Sequence, residues 1–195
     1  VGHFVPTQAA LGLVQVDPIP YMLDRMLPVL GITIPGSRVN ADGALAVRNP
    51  RPEGTHGYSL LFRSGYFETV KVLTYGQNER APLGSIAYEE HFIGLLDRLR
   101  AEYQHLGVGL EMTCMVSIID ANHVELGLER WRYNMDDHQG YFDRSTLVLP
   151  DILLPAEQPA AQALRPVFDL VWQSAGLMRS FNYTDAGEWA PDGRR

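Results

Sequence analysis

A single cysteine, Cys114, stands in 195 residues, so the chain can form neither an internal disulfide nor a multi-cysteine zinc site. Positive charge is also scarce: 16 Lys and Arg against 23 Asp and Glu leave a formal −7 with the six histidines neutral. That balance argues against a strongly cationic nucleic-acid clamp, although a local basic patch survives a negative total. No apolar run reaches the roughly 18 residues of a membrane span, and the first residues carry no signal-peptide pattern. Gly-x-x-x-x-Gly-Lys-Ser/Thr and Gly-x-Gly-x-x-Gly phrases are missing, and with them any specific nucleotide cradle. A soluble, cytoplasmic protein with no membrane partner is the expectation.

What is present is ordinary for a globular chain. Hydrophobic residues make up 46% and charged residues 20%, enough for a substantial core in one domain or two small ones. The part through about Pro52 is rich in proline and glycine. Its best helical piece is Tyr21 to Leu30, where Met22, Leu23, Met26, Leu27 and Leu30 share one face and Pro28 argues for a short or broken helix. Asp42-Gly43 is a hairpin signal before Ala44-Leu45-Ala46-Val47. Residues 1–57 therefore read as an N-terminal extended cover or linker with a short helix, and residues 58–195 as the main α+β domain.

From Tyr58 the periodicity sharpens. Tyr58 to Phe62 and Tyr66 to Thr74 predict two strands joined by a two-residue turn at Ser64-Gly65, with Glu68, Val70 and Val72 on one side and Thr69 and Lys71 on the other. A helix is predicted from about Ile86 to Leu106, capped by Ser85, with Phe92, Leu96, Leu99, Tyr103 and Leu106 packing and Glu89 and Glu90 contributing polar surface near its positive end. Leu110 to Ile119 reads as a strand that Asp120-Ala121-Asn122 turns back into His123 to Glu129, a second hairpin. An extended stretch from Tyr141 to Leu149 ends at Pro150. The last helix occupies about 160–176, with Leu164, Val167, Phe168, Val171 and Trp172 buried and Pro166 marking its first regular turn. The fold class that follows is α+β: a mostly antiparallel sheet built from hairpins, with two principal helices packed on one face.

Few residues carry chemistry by pattern. Glu89-Glu90-His91 lie adjacent on a helix and do not converge on one point. His123 belongs to no ligand motif, and no metal site or cofactor is called for. Cys114 sits in the apolar phase of its strand and reads as an inert core thiol. Asp136, Asp137 and His138, followed by Asp143, form the densest acidic cluster and suit a small metal-assisted hydrolase, against the plainer reading of a solvated loop. Arg130, Trp131 and Arg132 join guanidinium groups to an aromatic face, as a phosphate- or nucleic-acid-binding module needs, with Arg144 or Arg179 extending the surface if the fold gathers them; a packed Trp131 between solvated arginines is the plainer reading. In the tail, Arg179, Phe181, Asn182, Tyr183 and Trp189 suit a protein interface, or cover this domain's own core.

The phrases Arg38-Val39-Asn40-Ala41-Asp42-Gly43, Leu61-Phe62-Arg63-Ser64-Gly65-Tyr66-Phe67-Glu68, Leu164-Arg165-Pro166-Val167-Phe168-Asp169-Leu170-Val171-Trp172-Gln173-Ser174-Ala175-Gly176-Leu177 and Arg179-Ser180-Phe181-Asn182-Tyr183 together resemble the C-terminal half of bacterial Schlafen-like AlbA-type proteins, described as ATP-binding or transcriptional regulators. The resemblance spans roughly residues 38–189. In that family the nucleotide and nucleic-acid functions belong to an N-terminal domain, whose site has no counterpart here, so no catalytic or ATP-binding residue carries over. The resemblance implies a non-catalytic accessory domain for protein interaction, oligomerisation or positioning of a missing N-terminal effector domain. Its partners would be that domain, another protein or a second copy.

Overall fold

The structure is a computed structural model that describes residues 1–23, 25–29, 32–34, 37–48, 50, 52, 54–72, 82–128 and 140–191. Its strands are β1 (Gly2–Pro6), β2 (Leu27–Val29), β3 (Ile32–Ile34), β4 (Arg38–Val39), β5 (Gly43–Arg48), β6 (Gly57–Phe62), β7 (Phe67–Lys71), β8 (Leu83–Gly84), β9 (Met112–Ile119), β10 (Leu126–Gly127), β11 (Thr146–Val148) and β12 (Ile152–Leu154). The helices are α1 (Thr7–Ala10), α2 (Ile19–Leu23), α3 (Ser85–His105) and α4 (Ala160–Ser174). Eight strands form one antiparallel sheet in the order β11-β9-β1-β7-β6-β5-β4, with β12 also pairing β9. The α+β class expected from periodicity is therefore the observed one. Among the described residues no helix is long and apolar enough to cross a membrane.

The sheet joins both parts of the chain. β1 lies between β9 and β7, and β5 pairs with β6 over six residues from Gly43↔Phe62 to Arg48↔Gly57, so the boundary expected at 57/58 runs through a strand pairing. Phe4 and Phe67, Met112 and Cys114, and Ala44 and Ala46 project from alternate positions into the core. A Cβ added at Gly2 would stand 3.2 Å from the Phe92 ring, which places α3 directly across β1.

Several local expectations change in instructive ways. The Asp42-Gly43 hairpin forms, and Asn40 shapes it: its Oδ1 accepts the backbone N–H groups of Asp42 and Gly43 at 3.0 and 2.8 Å. The β6–β7 turn has three residues rather than two, because Phe62 N–H donates to Tyr66 and Gly65 takes a positive φ of 84°. Tyr103 on α3 then donates its hydroxyl to the Gly65 carbonyl at 2.8 Å, fixing helix to turn. The second hairpin does not form: β10 pairs in parallel with β8 instead of with β9, and β9 takes β11 and β12 along that edge, separated at Pro150.

The helices fall close to their expected bounds. Ser85 is the first residue of α3 rather than its cap, since Gly84 holds that place without a side-chain bond. Pro166 lies well inside α4. It and Gln162 are on the solvent side, where water can satisfy the carbonyl that loses its donor. Tyr21 to Leu30 divides into α2 and β2, as Pro28 in the middle of the stretch demands.

Candidate functional site

Sheet and helices do not close completely at one end. The ends of β7 and β9, the turn Asp120–Val124, the first turns of α3 and the middle of α4 surround a cavity of about 350 Å³. Its wall is largely apolar, with Val70, Val116, Val124, Val167 and Val171 beside the rings of Tyr88, Phe92, Phe142 and Phe168, and it also takes in Lys71, Ser117 and Asp120. The space is far larger than the voids of a packed interior. Its size falls in the range of small-molecule sites. The two described non-glycine residues with positive φ, Asp120 at 58° and His123 at 60°, both sit in the turn that borders it. Such conformations cost about 1–2 kcal/mol each in ordinary residues and are better tolerated by Asp and His.

A basic recess adjoins the cavity. It shares Lys71, Val72, Leu83 and Tyr88 with the apolar wall and adds Arg48, Gly84, Ala87 and His91. Lys71 donates from Nζ to Nδ1 of His91 in a short contact. That bond needs a neutral imidazole accepting from a charged ammonium, since two cations in this position would repel. Burial first, and Arg48 second, hold the Lys71 ammonium down to about 8. His91 is lowered as well, by burial and then by Lys71. Among the described residues no carboxylate bonds to Arg48 or Lys71; Glu90, next to His91, acts to raise the imidazole against these effects.

Behind the cavity wall lies a polar cluster. Glu89, expected on the surface, is fully buried. Its Oε1 accepts from Trp172 Nε1 at 2.9 Å and Ser180 Oγ at 2.7 Å, with Tyr88 at 3.3 Å; its Oε2 accepts from Asn182 Nδ2 at 3.0 Å and Trp189 Nε1 at 2.9 Å. Burial raises its carboxyl and the four strongest donors oppose the rise. With both oxygens committed and no solvent access, Glu89 holds the tail against α3 and α4 rather than exchanging protons with a substrate.

The tail residues follow from this cluster. Asn182 and Tyr183 are buried in the chain's own core, Phe181 packs edge-on against Trp172 at 5.0 Å between centroids, and Trp189 reaches Glu89. Arg179 pairs with Asp185 at 2.7 Å and donates to the Tyr183 carbonyl. Of the two uses the sequence allows for this segment, the geometry displays the covering of its own core. Arg144 pairs with its neighbour Asp143 at 3.1 Å on the surface. Asp136, Asp137 and His138, like Arg130, Trp131 and Arg132, lie outside the described residues. Cys114 is buried and its thiol is pushed up to about 12, chiefly by burial. Among the described residues no three His, Cys, Asp or Glu side chains are grouped to hold a metal ion.

Sequence reasoning missed the cavity and the recess. Lys71 is visible as the out-of-phase residue beside Val70 and Val72, but nothing local brings Arg48 and His91 to it. Comparison with protein-family models, curated proteins and solved structures finds no match to this chain.

Proposed function

We propose that this chain is a non-catalytic accessory domain that binds a small, largely apolar molecule between its sheet and its two long helices. The observation that supports this reading is the cavity itself: about 350 Å³ of valine- and aromatic-lined space at the open end of an otherwise packed core. At about 30 Å³ per atom, the share of a water in the liquid, that is room for roughly a dozen non-hydrogen atoms. Such a ligand gains about 0.8 kcal/mol for each methylene taken from water, before the cost of immobilising it. Sub-millimolar affinity is the scale to expect. In a regulator of the kind the family resemblance implies, occupancy of this domain would be the signal read by an effector domain.

Thermal unfolding followed over a series of C6 to C12 alkanols, alkanoates and alkyl phosphates, each below its micellar concentration, tests the proposal. A saturable rise in Tm for part of the series, abolished by Val167→Phe or Ala121→Leu in folded protein, supports it. No rise for any member would overturn it.

A further inference from the structure

The cavity's chemistry is not symmetrical. One side is hydrocarbon, whereas the recess beside it carries Arg48, Lys71 and His91. These come from three separate elements: Arg48 ends β5, Lys71 ends β7, and His91 stands in the second turn of α3. Resting on the reading that the cavity is a ligand site, we infer that its ligand is a single-tailed amphiphile whose anionic head, a carboxylate or a phosphate monoester, sits between Arg48 and Lys71 while its tail of about eight to ten carbons fills the apolar space.

Three observations carry the polarity of this ligand. Lys71 lines both the cavity and the recess, so a group on its ammonium is already at the mouth of the apolar space. Arg48 and Lys71 are half-buried and no carboxylate among the described residues bonds to either, so an anion entering the recess would meet two cations at once. The depressed Lys71 ammonium is consistent with this, since burial and Arg48 both oppose its charge and the attraction of an anion would offset both. Asp120, the carboxylate that lines the apolar cavity, is exposed and is not among the residues of the recess. A fork from Arg48 and a point charge from Lys71 suit either head group, because guanidinium binds carboxylate and phosphate oxygens in pairs and ammonium binds any oxyanion.

Isothermal titration with decanoate, decyl phosphate, decanol and decylamine, below their micellar concentrations and at pH 7, distinguishes the outcomes. The expected result is that at least one of the two anions binds ten-fold or more tightly than decanol, and that decylamine binds least. Comparison of decanoate with decyl phosphate then identifies the head group. Arg48→Met and Lys71→Met should each weaken anion binding about ten-fold while leaving decanol affinity within two-fold. Decanol binding as tightly as both anions, or anion affinity indifferent to both variants, would overturn the anionic head while leaving the apolar cavity as a ligand site. If no compound binds, the cavity reading and this inference fall together. Lys71→Arg, which keeps the charge, should retain most of the preference and separates loss of charge from loss of fold.

Discussion

Trp189 donates its indole N–H to Glu89 at 2.9 Å across 100 residues of chain, and so ties the tail to the second turn of the first long helix. Glu89 receives Trp172, Ser180 and Asn182 as well. Tyr88 and Phe168, whose rings meet edge-on at 5.7 Å, belong to the same two helices and form part of the cavity wall. The polar cluster thus holds in place the helices that shape the apolar space.

Replacement of Glu89 by Gln keeps the volume and removes one acceptor oxygen, leaving an amide N–H₂ facing two of the buried donors. Loss of about 3 kcal/mol of stability is expected, at the upper range for an unsatisfied buried group bonded to a charge. Urea unfolding measures it; a loss below about 1 kcal/mol would mean that the cluster is dispensable.

Deletion of the chain from Ser180 onward strips Glu89 of three donors and exposes Trp172. The truncated protein is expected to lose cooperative unfolding or to show a Tm lower by ten degrees or more, as calorimetry would record. A truncation that unfolds like the full chain would favour the alternative in which this segment serves an external partner.

Lys71 makes the site sensitive to alkaline pH. Its folded-state ammonium is held near 8 against an ordinary 10.5, so between these values the unfolded chain binds more protons and the lysine's share of stability rises with pH. That share is fully present above about 10.5 and lost as pH falls through about 8. Anion affinity runs the other way, declining as pH rises above about 8 and the ammonium is lost. His91, lowered by burial and by Lys71, is already neutral there and adds no step in this window. The difference in stability between wild type and Lys71→Met, followed from pH 7 to 10.5 beside anion titrations, should show the two opposite slopes.

Cys114 should behave as a core atom. Its burial and raised thiol imply labelling by a maleimide only through global opening, slower by orders of magnitude than labelling in denaturant. Fast labelling of native protein would contradict the burial of β9 between β1 on one side and β11 and β12 on the other.

Long elements with strong periodicity were legible. The 4, 3, 4 spacing of Phe92, Leu96, Leu99 and Tyr103 defines α3, and Leu164, Val167, Phe168, Val171 and Trp172 define α4, because burial of a helix face repeats every turn. β1 was not, since Gly2 to Pro6 is only five residues long and its central place depends on strands more than 60 residues away. The partner of β10 was missed because two residues carry no register, and Gly127 lies close enough to β8 that an added Cβ would meet the Leu83 carbonyl at 3.3 Å. Glu89 looked like surface because a carboxylate near a helix N-terminus usually is; its burial is decided by donors 83 to 100 residues later. The cavity has only one trace in the sequence, the valines on separate elements that line it together. Which side chains fail to meet is a property of tertiary spacing.

The most direct measurement is a methyl NMR titration of the folded protein with decanoate and, in parallel, decyl phosphate. Saturable shifts at Val116, Val167 and Val171, with Leu27 and Val29 in the remote core unmoved, are the expected result. Shifts absent from the cavity methyls at saturating concentrations of both compounds, or confined to exposed residues such as Leu13 and Leu23, would contradict a ligand site between sheet and helices.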